Sequence, residues 1–235
     1  MTAVLITVIK CLTAILLGVL EGNGSVHFIN RMPPRWLCDY DEEPSAELLD
    51  SRTERVKSTP WKFILSMLFI VLNIKLVIDD WMFALPASAA LFFLAVLAMA
   101  DIRYRILPDQ VIVLLAITGM GFIPYHGSWK TCLLGTAIGF FGMGAVALIG
   151  KIAARRETLG GGDIKLFTAL GFIAGPAGVV IIFMATAFLS AAHFVILLAT
   201  GRKKRTDYVP MAPYIGVCTA AYLVFFWGLG SELIL

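Results

Sequence analysis

The feature that most constrains this chain is a series of long apolar runs, separated by short polar segments, along almost all of its 235 residues. Runs such as 83–100 and 179–199 are apolar on every side, which is typical of helices that span a membrane. Only 15% of the residues are charged and the mean hydropathy is +0.87, a composition too apolar for a soluble domain. The sequence therefore predicts an all-α, polytopic membrane helix bundle.

About eight apolar runs are candidate transmembrane helices. They lie near residues 3–20, 62–78, 83–100, 109–125, 131–150, 164–174, 177–199 and 211–231. The sixth is too short to cross about 30 Å of hydrocarbon at roughly 1.5 Å per residue. Three alternatives are open for it: a tilt, a continuation into Gly175–Pro176, or an end partway through the membrane. The first run lacks a basic leading region and a cleavage pattern, so we expect residues 1–20 to be a permanent first span.

Lysine and arginine are unevenly distributed among the polar segments. If the N-terminus is outside, the cytoplasmic segments are 21–61, 101–108, 151–163 and 200–210. These hold 14 of the 19 basic residues, namely Arg31, Arg35, Arg52, Arg55, Lys57, Arg103, Arg105, Lys151, Arg155, Arg156, Arg202, Lys203, Lys204 and Arg205. Because cytoplasmic loops collect basic residues, we expect a multi-pass membrane protein with its N-terminus outside. This bias requires an even number of spans, which supports counting the short sixth run.

The segment 21–61 is the one polar stretch of any size, and its middle, Asp39–Asp50, is strongly acidic. It is too small for an independent core, so we expect a small cytoplasmic lobe with one short helix after Pro44. Residues 62–235 would then form the membrane bundle that carries the chemistry. The acidic run either attracts a basic partner through its charge or is an ordinary solvated surface.

Two acidic motifs stand at predicted cytoplasmic ends of spans. One runs from Asp101 to Asp109 as Asp-Ile-Arg-Tyr-Arg-Ile-Leu-Pro-Asp, and the other from Leu159 to Lys165 as Leu-Gly-Gly-Gly-Asp-Ile-Lys. A carboxylate at the edge of the hydrocarbon is costly to desolvate, and it usually lines a cavity, has a partner or serves a function. The motifs are therefore candidate functional sites.

Each acidic residue also has an ordinary structural interpretation. Asp163 fits the N-cap of a helix that begins at Ile164. Asp109, which follows Pro108, fits another N-cap. Asp101 fits an interfacial charge beside neighbouring arginines. Taken one at a time, these interpretations compete with a functional one.

Together, the two motifs suit peptide hydrolysis. Gly161 and Gly162 leave no Cβ that would block a peptide backbone approaching Asp163. Asp101 and Asp163, if close, would divide the work: one ionised carboxylate deprotonates water, and the other stays protonated and hydrogen-bonds the scissile carbonyl. This chemistry needs no metal. The three histidines and four cysteines form no ligand motif beside the aspartates, and we read His193 as a buried hydrogen-bonding residue.

These motifs resemble those of a known family. Gly160–Gly171 is similar to the Gly-x-Gly-Asp signature of type IV prepilin peptidases and preflagellin peptidases, and Asp101–Asp109 is similar to their first aspartate motif. The likeness extends to Glu157 and to Val209–Gly216, covers most of the chain, and is strongest over 95–175.

The resemblance implies an aspartyl endopeptidase with Asp101 and Asp163 as its catalytic residues. Its implied location is the inner (cytoplasmic) membrane. Its implied substrates are prepilins or pseudopilins, cut at the cytoplasmic membrane face after a short basic leader. We expect residues of the same motifs to bind the substrate: Glu157, Gly161, Gly162, Lys165 and Asp109. For Lys165 the alternative is a side chain that merely snorkels to the interface.

Two departures from the family limit what the resemblance implies. Many members carry paired Cys-x-x-Cys motifs in the first cytoplasmic loop, whereas this loop has only Cys38, so no metal site is expected. The family's stretch associated with N-methylation by S-adenosylmethionine appears as Gly24–Asn30, with altered spacing to Arg31 and Pro33. Methyltransferase activity with S-adenosylmethionine therefore stays an open alternative, while proteolysis needs no cofactor.

Two rival functions follow from the same residues. A presenilin-like intramembrane protease shares the Gly-x-Gly-Asp element but is expected to hold its aspartates within the span cores. A transporter would use carboxylates to bind protons or cations, and it predicts ionisable residues near mid-membrane. The expected partners are the lipid bilayer and the prepilin-like substrate, with no nucleic acid, and a homodimer is an open alternative.

Overall fold

The computed structural model describes residues 2–39, 41–50, 53–154, 159–202 and 209–229. The α-helices are α1 (Thr2–Arg31), α2 (Ala46–Leu49), α3 (Ser58–Asp79), α4 (Trp81–Tyr104), α5 (Asp109–Thr118), α6 (Trp129–Ala154), α7 (Gly161–Ala199) and α8 (Ala212–Phe225). Two 3₁₀ segments cover Pro34–Leu37 and Gly119–His126. No strand occurs in these ranges, so the all-α prediction is confirmed.

Helices α1, α3, α4, α6 and α7 are each long and apolar enough to cross a membrane, and α8 is apolar but shorter. The predicted fourth run corresponds to α5 followed by the 3₁₀ segment Gly119–His126. The short helix predicted after Pro44 is α2. A polytopic membrane helix bundle is therefore confirmed.

Helix α1 does not end at residue 20 but continues to Arg31. Its buried positions recur every three or four residues and form one face of the helix, which comprises Ala14, Gly18, Gly22, Ser25, Val26 and Ile29. Residues 21–31 belong to this face and so stay helical. The sequence gives no sign of this continuation, because Glu-Gly-Asn-Gly-Ser after Leu20 has the composition of a loop. The division into a first span, 1–20, and a cytoplasmic lobe, 21–61, stays a prediction.

Contacts divide the chain into two units, Met1–Phe122 and Ile123–Leu235. In the first unit, α1 packs closely on α3 through small residues. A Cβ at Gly18 would lie 2.5 Å from the Ile70 backbone nitrogen, and one at Gly22 only 2.2 Å from that of Ser66. These glycines let the two backbones approach, as small residues do between membrane helices.

The acidic lobe folds against the end of α1. The Arg55 guanidinium donates to the Ile29 carbonyl at 2.9 Å and to the Met32 carbonyl, so it satisfies carbonyls that the helix end leaves without partners. Asn30 and Val56 exchange two hydrogen bonds of 2.9 Å each. Burial lowers the pKa of Arg55, although a guanidinium stays charged at physiological pH. Hydrogen bonds between side chains and backbone groups thus hold the lobe against the C-terminal end of α1.

In the second unit, α7 is interrupted at Gly175, whose φ of 71° and ψ of −176° are not helical. The rings of Phe167 and Phe183, eight residues before and after it, lie 5.8 Å apart. A continuous helix would separate these positions by about 24 Å along its axis. The chain therefore reverses at Gly175, and α7 is a hairpin with a first arm (161–174) and a second arm (176–199).

Helix α6 packs against this hairpin through glycines. A Cβ at Gly135 would lie 2.1 Å from the Gly171 carbonyl oxygen, and one at Gly139 would lie 2.3 Å from that of Phe167. Close packing of this kind leaves no room for a side chain. His193 in the second arm is exposed, and its Nδ1 hydrogen-bonds the Tyr214 hydroxyl of α8. The prediction of a buried His193 was wrong, because the position faces outward from α7.

Candidate active site

Asp101 lies in the last turn of α4 and is only 5% exposed. The helix ends at Tyr104, and Arg105 follows in the left-handed conformation with φ 57° and donates its N–H to the Asp101 carbonyl at 2.9 Å. This conformation is uncommon for a residue other than glycine. The chain thus stops α4 sharply, one turn after the buried carboxyl group.

The lobe also contacts the end of α4 that carries Asp101. Arg103, two residues further on, forms an ion pair with Glu47 of α2, and both side chains are half exposed. The pair places acidic lobe residues beside the first motif. It is a surface contact that contributes at most about 1 kcal/mol.

Asp109 is half-buried and is the first residue of α5. The N-cap is Pro108, whose carbonyl accepts the N–H groups of Val111 and Ile112 at 3.0 and 3.1 Å. The alternative that made Asp109 the N-cap is therefore wrong, although its carboxylate still lies in the first turn, where the helix dipole favours negative charge.

Asp163 is the third residue of α7 and is also 5% exposed. The N-cap of this helix is Gly160, whose carbonyl accepts the Asp163 N–H at 3.1 Å. The interpretation of Asp163 as the N-cap of a helix beginning at Ile164 is therefore wrong. A carboxylate buried inside the first turn is costly to desolvate, whereas an N-cap residue usually stays at the surface.

Three other predicted site residues, Gly161, Gly162 and Lys165, lie in the first turns of α7 beside Asp163. Gly161 is exposed, and a Cβ built on it would meet nothing within 4 Å. Gly162 is half-buried and Lys165 is exposed. Glu157 lies outside the described residues. There is thus open space beside the first turn of α7, next to a buried carboxyl group.

The level of Asp163 within the second unit follows from the hairpin register. Phe167, one turn later, packs against Gly139 of α6 and against Phe183 of the second arm. Asp163 is therefore level with about residue 143 of α6 and about residue 187 of the second arm. Both helices continue roughly 15 Å past it. Asp163 therefore lies at the start of the short first arm, but at the level of the middle of α6 and of the middle of the second arm.

Metal ligands are not grouped in the described part of the chain, where no three His, Cys, Asp or Glu side chains cluster. The stretch Gly24–Asn30 is helical and largely engaged by the protein itself. Ser25 donates to the Gly22 carbonyl at 3.1 Å, and the Asn30 amide is bonded to Val56 through both of its groups. The Ser25 hydroxyl and the Asn30 amide are therefore engaged within the protein and are not free to hold S-adenosylmethionine.

A polar cluster inside the first unit was missed by the sequence analysis. The Asn73 amide, which is fully buried in α3, donates to the Glu21 carboxylate of α1 at 2.6 Å. The apolar run near residues 3–20 stops just before Glu21, so the sequence predicts that Glu21 lies in the loop that follows. A longer hydropathy window, which runs on through Val26 and Ile29, would have put it within the helix.

Comparisons with known proteins match the region that carries both motifs. The model of the type IV leader peptidase family matches residues 88–195. The resemblance predicted from the motifs is confirmed. The chain is 33% identical over 139 residues to a prepilin leader peptidase/N-methyltransferase of Xanthomonas campestris pv. campestris, and 26% identical over 169 residues to one of Bacillus subtilis.

These matches are partial. They cover 58% and 71% of this chain, and 47% and 64% of the Xanthomonas and Bacillus proteins, so the chain spans about half to two thirds of their length. A protein of the same description from Pseudomonas aeruginosa is 24% identical over 139 residues. No solved structure matches the chain. With the apolar helices, these likenesses identify a multi-pass protein of the inner membrane.

Proposed function

We propose that this chain is an aspartyl endopeptidase that removes the basic leader of prepilin-like proteins, with Asp101 and Asp163 as its catalytic pair. One observation carries the proposal: of the carboxyl side chains that the structure describes, only Asp101 and Asp163 are buried. Each stands in a motif that resembles a catalytic motif of the matched family. Burial of two carboxyl groups in a protein has a cost that function explains better than stability does.

The proposed mechanism needs the two carboxyl groups to share one water molecule. The ionised group takes a proton from the water, whose oxygen attacks the scissile carbonyl carbon, while the protonated group hydrogen-bonds and then protonates the carbonyl oxygen. A tetrahedral diol forms. When it collapses, the C–N bond breaks, the leaving amine takes a proton from the carboxyl group that acted as base, and one diol hydroxyl returns its proton to the carboxylate that had acted as acid. No covalent acyl-enzyme is formed.

The positions of the two aspartates in their helices favour one as the ionised base and the other as the protonated acid. Asp163 lies in the first turn of α7, where the helix dipole favours a negative charge, and Asp101 lies in the last turn of α4, where the dipole opposes one. We assign Asp163 as the ionised base and Asp101 as the protonated acid. The dipole contribution is about 0.3–1 kcal/mol at each end, enough to bias a pair that shares one proton.

The same proposal gives the other site residues their roles. Gly161 and Gly162 leave room for the peptide backbone beside Asp163, and Lys165 and Asp109 hold polar groups of the substrate. Glu157 is proposed to bind the substrate as well, and this role is supported by the family resemblance alone. We also propose that the N-terminus is outside and that cleavage occurs at the cytoplasmic face, as the basic residues favour.

The test is cleavage of a synthetic prepilin, with a basic leader followed by an apolar segment, by the purified full chain. Wild type, Asp101→Asn and Asp163→Asn are compared by mass spectrometry of the products, with Asp79→Asn as the matched control because that carboxylate is exposed at the end of α3. We expect the control to cleave normally and both site variants to lose cleavage. Near-normal cleavage by either site variant would mean that the pair is misassigned.

A second candidate activity is N-methylation of the new N-terminus, because the relatives carry N-methyltransferase in their names. The same incubation with S-adenosylmethionine tests it: a product heavier by one methyl group supports the activity, and an unmodified product with cleavage intact excludes it. A homodimer, the remaining proposal about partners, is tested by the mass of the purified protein in detergent.

The intramembrane protease stays a rival because Asp163 is level with the middle of α6 and of the second arm. Mapping the cut bond relative to the bilayer separates the two proteases: a bond within the hydrocarbon favours the rival. The transporter gains a candidate group in Glu21. Proton-coupled uptake into vesicles, without peptidase activity, would favour it.

A further inference from the structure

A polar cluster lies between α1, α3 and α4, three helices of the first unit that are each long and apolar enough to cross a membrane. It comprises Glu21 of α1, Asn73 of α3 and Ser88 of α4. Asn73 and Ser88 are buried, and Glu21 is half-buried. Along α4, Ser88 precedes Asp101 by about 20 Å, so the cluster is separate from the candidate active site. An ionisable residue inside a membrane-spanning helix is costly to desolvate and is by default a candidate functional group.

The hydrogen bonds of this cluster lack one donor. The Asn73 amide nitrogen donates to one Glu21 carboxylate oxygen at 2.6 Å, and the Ser88 hydroxyl lies within hydrogen-bonding reach of the same carboxylate. The other half of the amide, the oxygen Oδ1 of Asn73, is buried and has no hydrogen-bond partner. A buried acceptor without a donor loses the hydrogen bond that it would make with water. A group that donates to Oδ1 would therefore stabilise the cluster.

The other titratable side chains of these three helices do not offset a charge on Glu21. Lys75, two residues after Asn73, is exposed and pairs with Asp79. All the others lie at least about 9 Å along their helix from the nearest member of the cluster. They are Lys10, His27, Arg31, Lys62, Asp79, Asp80, Asp101 and Arg103. An ionised Glu21 would thus be a negative charge without a counter-ion between three apolar helices, which is unfavourable.

A proton supplies both the missing donor and the missing positive charge. Bound to the second carboxyl oxygen of Glu21, it neutralises the group and creates an O–H that can donate to Asn73 Oδ1. The carboxylic acid and the amide then exchange two hydrogen bonds, and both halves of the amide have a partner. A water molecule would supply the donor but leave the charge. A calcium or magnesium ion needs about six oxygen ligands, whereas the cluster offers three side chains.

We propose that Glu21 and Asn73 form a proton-binding site within the membrane-spanning helices, in which the neutral acid joins α1 to α3 and Ser88 of α4 supports it. The proton is bound at neutral pH. Its loss at alkaline pH leaves a charge between the helices and weakens their packing. The inference does not depend on the peptidase activity.

The test is infrared spectroscopy of the full chain at neutral pH in a detergent without ester groups, because a protonated carboxyl group has a carbonyl stretching band that a carboxylate lacks. The background carries Asp101→Asn and Asp163→Asn, which removes any proton held at the candidate active site. We expect a carboxyl band that persists in this background and is lost in Glu21→Gln. Asn73→Leu should move the band to higher frequency, because the hydrogen bonds to the amide are gone. Asp79→Asn, which changes an exposed carboxylate, is the matched control and should leave the band unchanged.

Thermal unfolding of the same proteins is the second readout. Glu21→Gln places an amide where the neutral acid stands, so its unfolding midpoint should match that of wild type at neutral pH. Wild type should become the less stable of the two as the pH rises and the proton is lost from the folded state. An absent band, a band unmoved in Asn73→Leu, or a midpoint difference that is independent of pH would overturn the proposal. Stabilisation of wild type, but not of Glu21→Gln, by sodium relative to potassium would also overturn it, in favour of a metal cation. Should Glu21→Gln fail to fold, the shift of the band in Asn73→Leu identifies it as that of Glu21.

Discussion

Asp101 and Asp163 are buried to the same extent, yet the two regions that bury them are built differently. Asp101 closes a full-length helix of 24 residues, and the chain leaves α4 through the left-handed turn at Arg105. Asp163 opens a half-length arm that ends at Gly175, between helices that extend beyond it on both sides. One carboxyl group is thus carried at a helix C-terminus and the other in an N-terminal turn, where the helix dipole acts with opposite sign.

The largest expected effect tests this asymmetry. Asp163→Asn removes the proposed base and should reduce the single-turnover cleavage rate about 10⁴-fold. Asp101→Asn leaves an amide that can still donate a hydrogen bond to the carbonyl, so its loss should be smaller, about 10²-fold. Rates are followed by quantitative mass spectrometry of the leader. The reverse order would exchange the roles of acid and base.

A second prediction concerns the reversal that sets the length of the first arm. Gly175→Ala should destabilise the protein by about 1–3 kcal/mol, because the positive φ disfavours a side chain and the new Cβ would lie 2.9 Å from His126. Gly142→Ala on α6 is the control, since its Cβ meets nothing within 4 Å. Thermal unfolding in detergent measures both. A stable Gly175→Ala protein with full activity would contradict the importance of the reversal.

A smaller effect is expected on the Asp101 side, where the lobe is joined to α4. Arg103→Gln breaks the ion pair with Glu47 and should cost about 0.2–1 kcal/mol, since both groups are half exposed. Protease digestion of the lobe should become faster while the melting of the membrane helices changes little. Glu47→Gln should give the same result, and the double variant should add nothing further. An additive double variant would mean that the pair does not act as a unit.

The smallest effect concerns Glu54, which accepts hydrogen bonds from the Ser58 N–H at 3.0 Å and its hydroxyl at 2.8 Å. Chiefly the backbone bond lowers the pKa of this exposed carboxyl below its usual 4.5. A lowered pKa stabilises the fold above pH 4.5, and the stabilisation is lost as the pH falls through the lower folded-state value. The melting difference between wild type and Glu54→Gln should therefore disappear in acid. A difference that persists at pH 2 would contradict this.

The sequence predicted most of the helices and both acidic motifs, because apolar runs and the Gly and Pro residues that end helices are signals carried by short segments of the chain. It ended α1 too early at Glu21, since a buried helical face can hold Gly, Asn and Ser when a neighbouring helix covers them. It left three alternatives for the short sixth run, and the reversal at Gly175 became decidable only from the contact between Phe167 and Phe183. The pairing of Asp101 with Asp163 depends on groups far apart in sequence, which local patterns do not encode, and it stays a prediction.

The hairpin of α7 also decides on which side of the membrane the segments before and after it lie. Helix α6 runs antiparallel to the first arm, and the first arm runs antiparallel to the second, so α6 and the second arm point the same way. Lys151 and Arg202, at their ends, therefore leave the second unit on the same side. A hydropathy profile that reads Gly161–Ala199 as one crossing would assign these residues to opposite compartments. Reporter fusions at the two positions should give the same signal.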